Sequence, residues 1–469
     1  MLYVFCMKLF PLHNTKKFLH DKRGNLLLFV MIFGSLAFTM IVMGVSSYAL
    51  FENQASNRKQ SRDLSFHIAE AGINYYRWHL AHSPEDYQDG TGVAGPYVHA
   101  FEDKNGDVIG YFSLDIDAPL AGTTIVNFRS TGWTIAQPQN TRTIGVRVGY
   151  PALTDFSFVE NSDMSFSYTT EVHGKIHSNG GIEFNGTTDS ILQSAKEIYD
   201  PVGGPVNSPG IWGNGGPTTF WDFPVPPKDF NAITTDLAGI RDASDAGGLH
   251  FYSSGSEGYH MIFQADGTFK LYTVTKRQKY TDYCKTVYNG YCYSGNVYYD
   301  IQNETYDATY TIPANGAIFV EDDIWVEGVV NGHVSVGAGR FPVLESTYQE
   351  IYPIGNITLL AKESTNVIGL IAQGDIVYPY NVPNDMVVEA ALLSQFKKIY
   401  RPYFSNTKNS LTIFGSQISY AGGGVKWGNP VVSGFINTIY IYDGNLRYLV
   451  PPGFPVEPTY ELISWEEIE

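Results

Sequence analysis

The feature that most constrains this chain is an uninterrupted apolar segment near its N-terminus. Residues 25–51 contain no charged side chain. As a helix this segment is about 40 Å long, whereas the hydrocarbon core of a bilayer is about 30 Å thick. Because no proline occurs between Asn25 and His82, the helix is expected to continue beyond the membrane. The sequence therefore predicts one long membrane-spanning helix over residues 25–82.

The second half of this predicted helix is amphipathic. Apolar residues recur there at steps of four and three, which places them on one helical face: Leu64, Ile68, Ala71, Tyr75 and Trp78. We expect this face to pack on a folded domain. The helix would then anchor the protein through its first half and support a domain through its second half.

The charge distribution predicts the orientation of the helix. Residues 1–24 carry five Lys and Arg side chains and one acidic side chain, a balance of +4, so the net charge of −17 leaves −21 for the rest. Since positive flanks stay in the cytoplasm, we expect a single-pass protein with a cytoplasmic N-terminus and an extracytoplasmic C-terminal bulk. The acidic exterior argues against nucleic acid as a partner, because phosphates bind positive charge.

The boundary before the apolar segment is informative. A secretory signal has a shorter apolar region with its cleavage site after it, whereas here the sharp boundary precedes the segment. The run Lys22-Arg23-Gly24 followed by Asn25-Leu26 resembles a type IV prepilin leader. The resemblance implies cleavage between Gly24 and Asn25 by a prepilin peptidase. An uncleaved signal anchor with no role in a pilus is the alternative.

Two further segments resemble PilX-like minor pilins. Residues 64–73 read LSFHIAEAGI, similar to a helical segment of that family, and residues 128–132 read FRSTG, similar to its small sheet. The resemblance implies association with other pilin-like subunits. Phe29 stands where major pilins carry a glutamate, a residue that is costly in lipid unless it is paired. We therefore expect a minor or tip component, or a protein that remains in the membrane, rather than a bulk subunit.

After the helix the pattern changes to strands. Alternating segments within residues 83–150 predict a small antiparallel sheet on the amphipathic half of the helix. Very short strands broken by Gly and Asn in residues 151–455 predict a right-handed parallel β-helix, a solenoid. A Gly/Pro/Tyr-rich insertion is expected at about 190–310, and an acidic tail at 456–469. The expected fold class is mainly β with one long N-terminal α-helix.

The insertion contains a tyrosine-rich segment, residues 280–299. Exposed tyrosines make good binding surfaces, so this segment is a candidate contact surface. Packing of these rings onto the solenoid is the alternative. Cys284 and Cys292 flank an Asn-Gly turn dipeptide in the same segment. They are a candidate disulfide in an oxidising compartment, with two free thiols as the alternative.

Three polar clusters are candidate sites of chemistry. The carboxylates at residues 321–323 are adjacent, which is more typical of a solvated corner than of a catalytic pair. His173 and His177 lie on short strands rather than on one helical face, so we expect corner or stacking roles. Residues 103–107 space oxygen-bearing side chains as a calcium loop begins but lack its closing glutamate, which favours a hairpin turn. We expect no catalytic residues, no metal and no cofactor.

Two classes of function remain. The first is a structural and interaction protein: a minor pilin-like component of a type IV pilus-like assembly, or a membrane-anchored cell-surface protein, with adhesion to a surface glycan or protein as a candidate activity. The second is a membrane-anchored carbohydrate-active β-helix enzyme. Because a fold does not define a function, the discriminating feature is a groove in which several carboxylates converge.

Overall fold

The computed structural model of the protein describes residues 24–120, 123–230, 236–288, 291–362, 365–456 and 459–468. Within these ranges the side chains of residues 24–25, 236, 281–288, 291–296 and 298 are not described. The leader, residues 1–23, lies outside the described residues, and cleavage after Gly24 therefore stays a prediction.

One continuous helix, α1 (Gly24–His82), opens the described chain. An antiparallel sheet packs on its second half and consists of β1 (Tyr97–Glu102), β2 (Val108–Asp117), β3 (Ile125–Thr134), β4 (Arg142–Gly149) and β31 (Glu461–Ile468). The long helix and the antiparallel sheet of the predicted fold class are confirmed.

The acidic tail expected at residues 456–469 is wrong in its main part. Residues 461–468 form β31, which pairs with β4 and places Trp465 beside Val146. The Trp465 ring also meets the ring of Phe66 on α1 at 5.9 Å. Pairing uses backbone groups, so an acidic segment forms a strand as readily as a neutral one, and charged side chains suit a sheet edge.

The remaining strands form the head, residues 150–456, and they come in three chain segments. The first contains β5 (Phe158–Glu160), β6 (Met164–Phe166), β7 (Thr170–His173), β8 (Ile176–Ser178), β9 (Ile182–Phe184), β10 (Thr187–Thr188), β11 (Leu192–Ser194), β12 (Ile198–Tyr199), β13 (Ser208–Pro209), β14 (Ile211–Trp212) and β15 (Trp221–Asp222). The second contains helix α2 (Asp236–Asp245), β16 (Leu249–Phe251), β17 (Gly258–Phe263) and the hairpin of β18 (Thr268–Tyr288) and β19 (Tyr291–Thr311). The third contains β20 (Ala317–Val320), β21 (Ile324–Val330), β22 (His333–Ala338), β23 (Ile351–Leu359), β24 (Val367–Ala372), β25 (Ile376–Val377), β26 (Asp385–Ser394), β27 (Ile399–Tyr400), β28 (Thr407–Ser419), β29 (Lys426–Trp427) and β30 (Ser433–Ile441).

Most head strands are stacked in parallel ladders on three faces. The first face has the spatial order β16, β20, β22, β24, β26, β28, β5, β8, β11, β15. The second face runs from β17 through β21, β23 and β25 to β27, with β6, β9 and β14 as a separate stack. The third face comprises the ends of β21 and β23, then β26, β28, β30, β7 and β10. The chain visits the faces in turn, so the predicted parallel stacking of short strands is confirmed.

The spatial order differs from the chain order. β5, at the start of the head, pairs with β28, near its end. We call this junction the seam. From β15 the chain must therefore return along the whole first face to β16, a distance of about 43 Å at about 4.8 Å per strand. Helix α2 lies on this return path, and its Leu237 and Ile240 pack on the outer side of the first face.

The insertion expected at about 190–310 is narrower than predicted. Residues 192–194, 211–212 and 221–222 are still strands of the head. The separate elements are α2 and the long hairpin β18–β19. Glycine and proline occur in solenoid corners as well as in insertions, and composition alone therefore placed the boundary too early.

The head is inserted between two neighbouring strands of the small sheet. The chain enters it after β4 and returns to place β31 beside β4. At the junction Ala152 bridges Val456, and the rings of Tyr150 and Tyr460 stack at 3.8 Å. Two chain connections and this packing hold the head on the small sheet at the end remote from the first half of α1.

Candidate functional site

The first half of α1 is the most exposed apolar surface among the described residues. Every side chain from residue 26 to residue 51 is exposed, and α1 is a helix long and apolar enough to cross a membrane. The hydroxyls of Ser35 and Thr39 donate to the carbonyls of Ile32 and Leu36. In lipid these bonds satisfy groups that water cannot reach. This half of α1 is suited to a membrane or to packing against other helices.

The second half of α1 packs on the small sheet, but not through the whole predicted face. Ile68 is fully buried, and Leu64 and Tyr75 pack at the edge of the contact. Ala71 is half-buried. Trp78 is 60% exposed, so its assignment to the packing face is wrong. The buried stripe is rotated by about one residue and contains Ser61, Ser65, Ile68, Ala69, Gly72, Ile73, Tyr76 and Leu80.

Small residues explain this rotation. A Cβ atom on Gly72 would lie 2.2 Å from Ser130 Oγ, and one on Gly132 would lie 2.3 Å from the backbone oxygen of Ser65. The helix therefore approaches β3 along its small residues, and the large Trp78 is not part of the buried contact. Because neither glycine has a Cβ atom, the helix and the strand can come into this close contact.

The tyrosine-rich hairpin packs on the second face of the head. The Tyr280 ring stacks on Tyr380 at 4.5 Å, and the Tyr299 carbonyl accepts a hydrogen bond of 2.6 Å from Trp325. Arg277 donates to Asp323 at 2.7 Å. Of the two alternatives for this segment, these contacts favour packing for Tyr280 and Tyr299.

The candidate disulfide lies among residues whose side chains are not described. The backbone register of the hairpin places Cys284 opposite Ser294 and Cys292 opposite Val287. The bond between Cys284 and Cys292 stays a prediction.

The polar side chains that the sequence analysis singled out form hydrogen bonds with neighbouring groups of the protein. Asp322 accepts hydrogen bonds from Ser254, and Asp323 accepts one from the backbone of Glu350. His173 lies between Glu171 and Asp189, and buried His177 meets the amide oxygen of Asn179 at 3.0 Å.

The segment at residues 103–107 is a hairpin turn. Asp103 accepts backbone hydrogen bonds from Asn105 and Asp107, and these bonds lower the pKa of its carboxyl. Within the described ranges no group of three His, Cys, Asp or Glu side chains is arranged to hold a metal.

A cleft of about 690 Å³ opens at the seam on the second face. Residues 421–424 follow β27 in the stack of the second face, and the Gly424 carbonyl accepts a hydrogen bond from the Arg401 N–H. β6 then pairs with β9 only and not with this turn. The second face is therefore interrupted at the seam, although the first and third faces are continuous there. The interruption exposes the space between the stacked faces of the head, and we call it the seam cleft.

Two polar residues in the cleft interrupt otherwise regular columns of the first face. The first column reads Ile318, Val336, Leu370, Leu392, Gln417, Phe158, Ile176, Leu192. The second reads Val320, Ala338, Ala372, Ser394, Ser419, Glu160, Ser178, Ser194. Gln417 is polar, whereas the other residues of the first column are apolar. Glu160 is large, whereas its two neighbours in the second column are serines. Each is 7% exposed and both line the cleft.

The electrostatics of these groups differ from those of surface residues. Burial raises the pKa of the Glu160 carboxyl well above its usual range, opposed by hydrogen bonds from Ser162 and the Gly423 backbone. Gln417 Nε2 has no hydrogen-bond partner among the described residues. Lys426 at the cleft donates to the carbonyl and the hydroxyl of Thr169, and burial lowers its pKa to about 8. The cleft thus contains a carboxyl whose pKa is raised by burial and an amide nitrogen with no partner among the described residues.

No local pattern in the sequence marks Glu160 and Gln417 as a pair. Their columns become visible only when residues 158–160 are placed beside residues 417–419. The signal for such a site would be a polar residue at a strand position that faces the interior of the head. It can be recognised only when it is known which strand lies beside which.

Comparisons with known proteins add limited information. No family model matches the chain, and no curated protein matches it. Among solved structures, the competence-associated pilin ComZ from Thermus thermophilus is similar at a TM-score of 0.31 and 13% identity, over 87% of this chain and 97% of that chain. Function must therefore be inferred from the residues of the chain itself.

Proposed function

We propose that the protein is a membrane-anchored minor pilin-like subunit that displays its head outside the membrane. The division of α1 is the observation that carries this proposal. Residues 26–51 present an uncharged, exposed surface, while residues 61–80 pack on the small sheet through close glycine contacts. One continuous helix thus offers its first half to lipid and packs its second half on the small sheet, and no proline interrupts it.

The leader supplies the route of assembly. The basic cluster before Gly24 would stay in the cytoplasm, and a prepilin peptidase would release a new terminus at Asn25. The exposed apolar half would then pack beside other pilin-like subunits in a filament. Because Phe29 carries no charge to pair with a neighbouring amine, the proposed role is that of a minor or tip component. Adhesion is the proposed activity of the head.

N-terminal sequencing of the protein from its native membrane tests this proposal. With prepilin peptidase present, the mature chain should begin at Asn25; without it, the chain should keep its leader. Gly24→Val should block cleavage, whereas Gly34→Val, an equal change at an exposed helical glycine with open space around it, should not. A leader that stays intact in a stable membrane protein would contradict the pilin-like route.

The second candidate, a carbohydrate-active enzyme, has one observation in its favour. Glu160, Asp163 and Glu183 all line the seam cleft. All three carboxyls already accept a hydrogen bond: Glu160 from the Ser162 hydroxyl, Asp163 from the Gly181 N–H, and Glu183 from the Ser165 hydroxyl. We therefore propose a binding role. Incubation of the full chain with soluble starch, chitin oligomers and pectin should release no reducing ends. Release that Glu160→Gln abolishes would establish the enzyme instead.

A further inference from the structure

We propose that the seam cleft is a binding site for a neutral saccharide unit, with Glu160 and Gln417 as its hydrogen-bonding groups. The inference concerns the head alone. It would hold equally if the leader were never cleaved, so its failure and the failure of the pilin-like proposal are distinguishable.

The first argument is energetic. An amide buried without a partner costs about 1–3 kcal/mol, and leucine occupies the Gln417 position on the neighbouring strand, as Leu392. The unpaired Gln417 nitrogen is therefore unfavourable for the stability of the head. Glu160 likewise stands where both neighbours in its column are serines, Ser419 and Ser178. These two departures from the pattern meet where the second face is interrupted at the seam.

The second argument concerns charge. A primary amide both donates and accepts hydrogen bonds, and a carboxyl group accepts them, which matches the mixed character of sugar hydroxyls. An anionic ligand would meet the carboxyls of Asp163 and Glu183, and a cationic ligand would meet Lys398 and Lys426. Because both signs of charge surround the cleft, a neutral ligand is favoured.

The third argument concerns shape. The cleft falls within the range of about 300–1,000 Å³ that is usual for small-ligand sites, where apolar walls carry a few polar groups. Phe158 and Tyr440 form part of the wall, and Trp427, which is 39% exposed, lies at the opening. These aromatic faces can cover the C–H surfaces of a sugar ring while the two polar groups bind its hydroxyls.

A peptide strand is the competing occupant, since β6 has an unpaired edge beside the cleft. Such a strand would bind through backbone groups and would leave the unpaired Gln417 amide unexplained. The saccharide accounts for both side chains, and we therefore favour it.

The test uses the full chain in phosphatidylcholine nanodiscs, which avoid detergents with sugar head groups. Saturation-transfer NMR with methyl glycosides of glucose, galactose, mannose and N-acetylglucosamine should detect binding of at least one, with a Kd of about 1 mM. Gln417→Leu and Glu160→Ser should each weaken it about tenfold or more. Both changes restore the columns, so neither should lower the melting temperature.

Gln193→Leu is the matched control, because Gln193 lies on the same face but is paired with Asp222 on its outer side; its binding should equal that of the unchanged protein. Three results would overturn the proposal: no binding of any glycoside, unchanged binding by the double variant, or binding lost equally in the Gln193 control. Binding of an extended peptide that is indifferent to Glu160 and Gln417 would assign the cleft to a peptide instead.

Discussion

Val159 lies beside Ile418 in one parallel ladder, although the two residues come from opposite ends of the sequence of the head. Both are fully buried on the outer side of the first face. The strands of residues 158–222 therefore stack on the last strands of the head rather than on the strands that follow them in sequence. The head is complete only when its C-terminal part has folded, and contacts of such long sequence separation are slow to form.

The seam makes the two parts of the head thermodynamically dependent on each other. Ile418→Ala should lower the free energy of unfolding by about 2–5 kcal/mol, because it leaves a cavity in the seam. Hydrogen exchange should show that strands β5–β11 lose protection together with β24–β28. Ile191→Ala, at a residue 44% exposed, is the control and should change stability by less than about 0.5 kcal/mol. Independent melting of the first coils would contradict this dependence.

The contact between α1 and β3 depends on a missing side chain. Gly132→Ala would place a Cβ atom 2.3 Å from Ser65 O and 2.4 Å from Ala69 N, both backbone atoms that cannot rotate away. We expect a loss of several kcal/mol in stability or a visible separation of helix and sheet. The measurement is thermal unfolding together with protease sensitivity near residue 82.

Gly239→Ala is the control for that change. Gly239 is an exposed helical residue, and no atom lies within 4 Å of the position that a Cβ atom would take there. Alanine should therefore stabilise α2 by about 0.5–1 kcal/mol. Equal effects of the two substitutions would show that close contact is not what Gly132 provides.

The parts of the fold that could be predicted are those with local signals. An uncharged run without proline predicts a helix, and alternation with turn residues predicts the strands of the small sheet. The rotation of the packing face was missed because spacing assigned large residues such as Trp78 to it, whereas the contact uses Gly72 and Ala69.

The order in which the head strands stack could not be predicted, because no local sequence pattern indicates it. Very short strands do not specify which strand lies beside which, and nothing near β5 indicates β28 as its neighbour. β31 was missed for a similar reason, because its partner β4 is distant in sequence. The seam cleft depends on this long-range order, and Glu160 and Gln417 therefore had no sequence signature.

Arg277 links the long hairpin to the second face of the head. Its guanidinium lies 4.8 Å from the Trp325 ring and pairs with Asp323, a carboxylate only 16% exposed. Arg277→Met keeps the stem but leaves the carboxylate unpaired, and we expect a loss of about 3 kcal/mol. Faster amide exchange in β18 and β19 should accompany it. Lys276→Met, at the exposed neighbouring residue, should leave both quantities unchanged, and the same acceleration in that variant would contradict the role of Arg277.

Glu350 should make the stability of the head depend on pH. Burial and the neighbouring Asp323 carboxylate raise the pKa of Glu350 to about 7, opposed by a hydrogen bond from the Tyr352 hydroxyl. The ordinary pKa of a glutamate is about 4.3. The folded state therefore binds more protons than the unfolded state between these values, so the contribution of Glu350 to stability falls as the pH rises through this range and stays low above about 7.

Glu350→Gln should flatten the decrease in melting temperature between about pH 5 and about pH 8. Glu345→Gln is the control, because the Glu345 side chain is 74% exposed and its pKa is lowered by Lys397; it should keep the decrease. An unchanged pH profile in Glu350→Gln would show that the titrating group lies elsewhere.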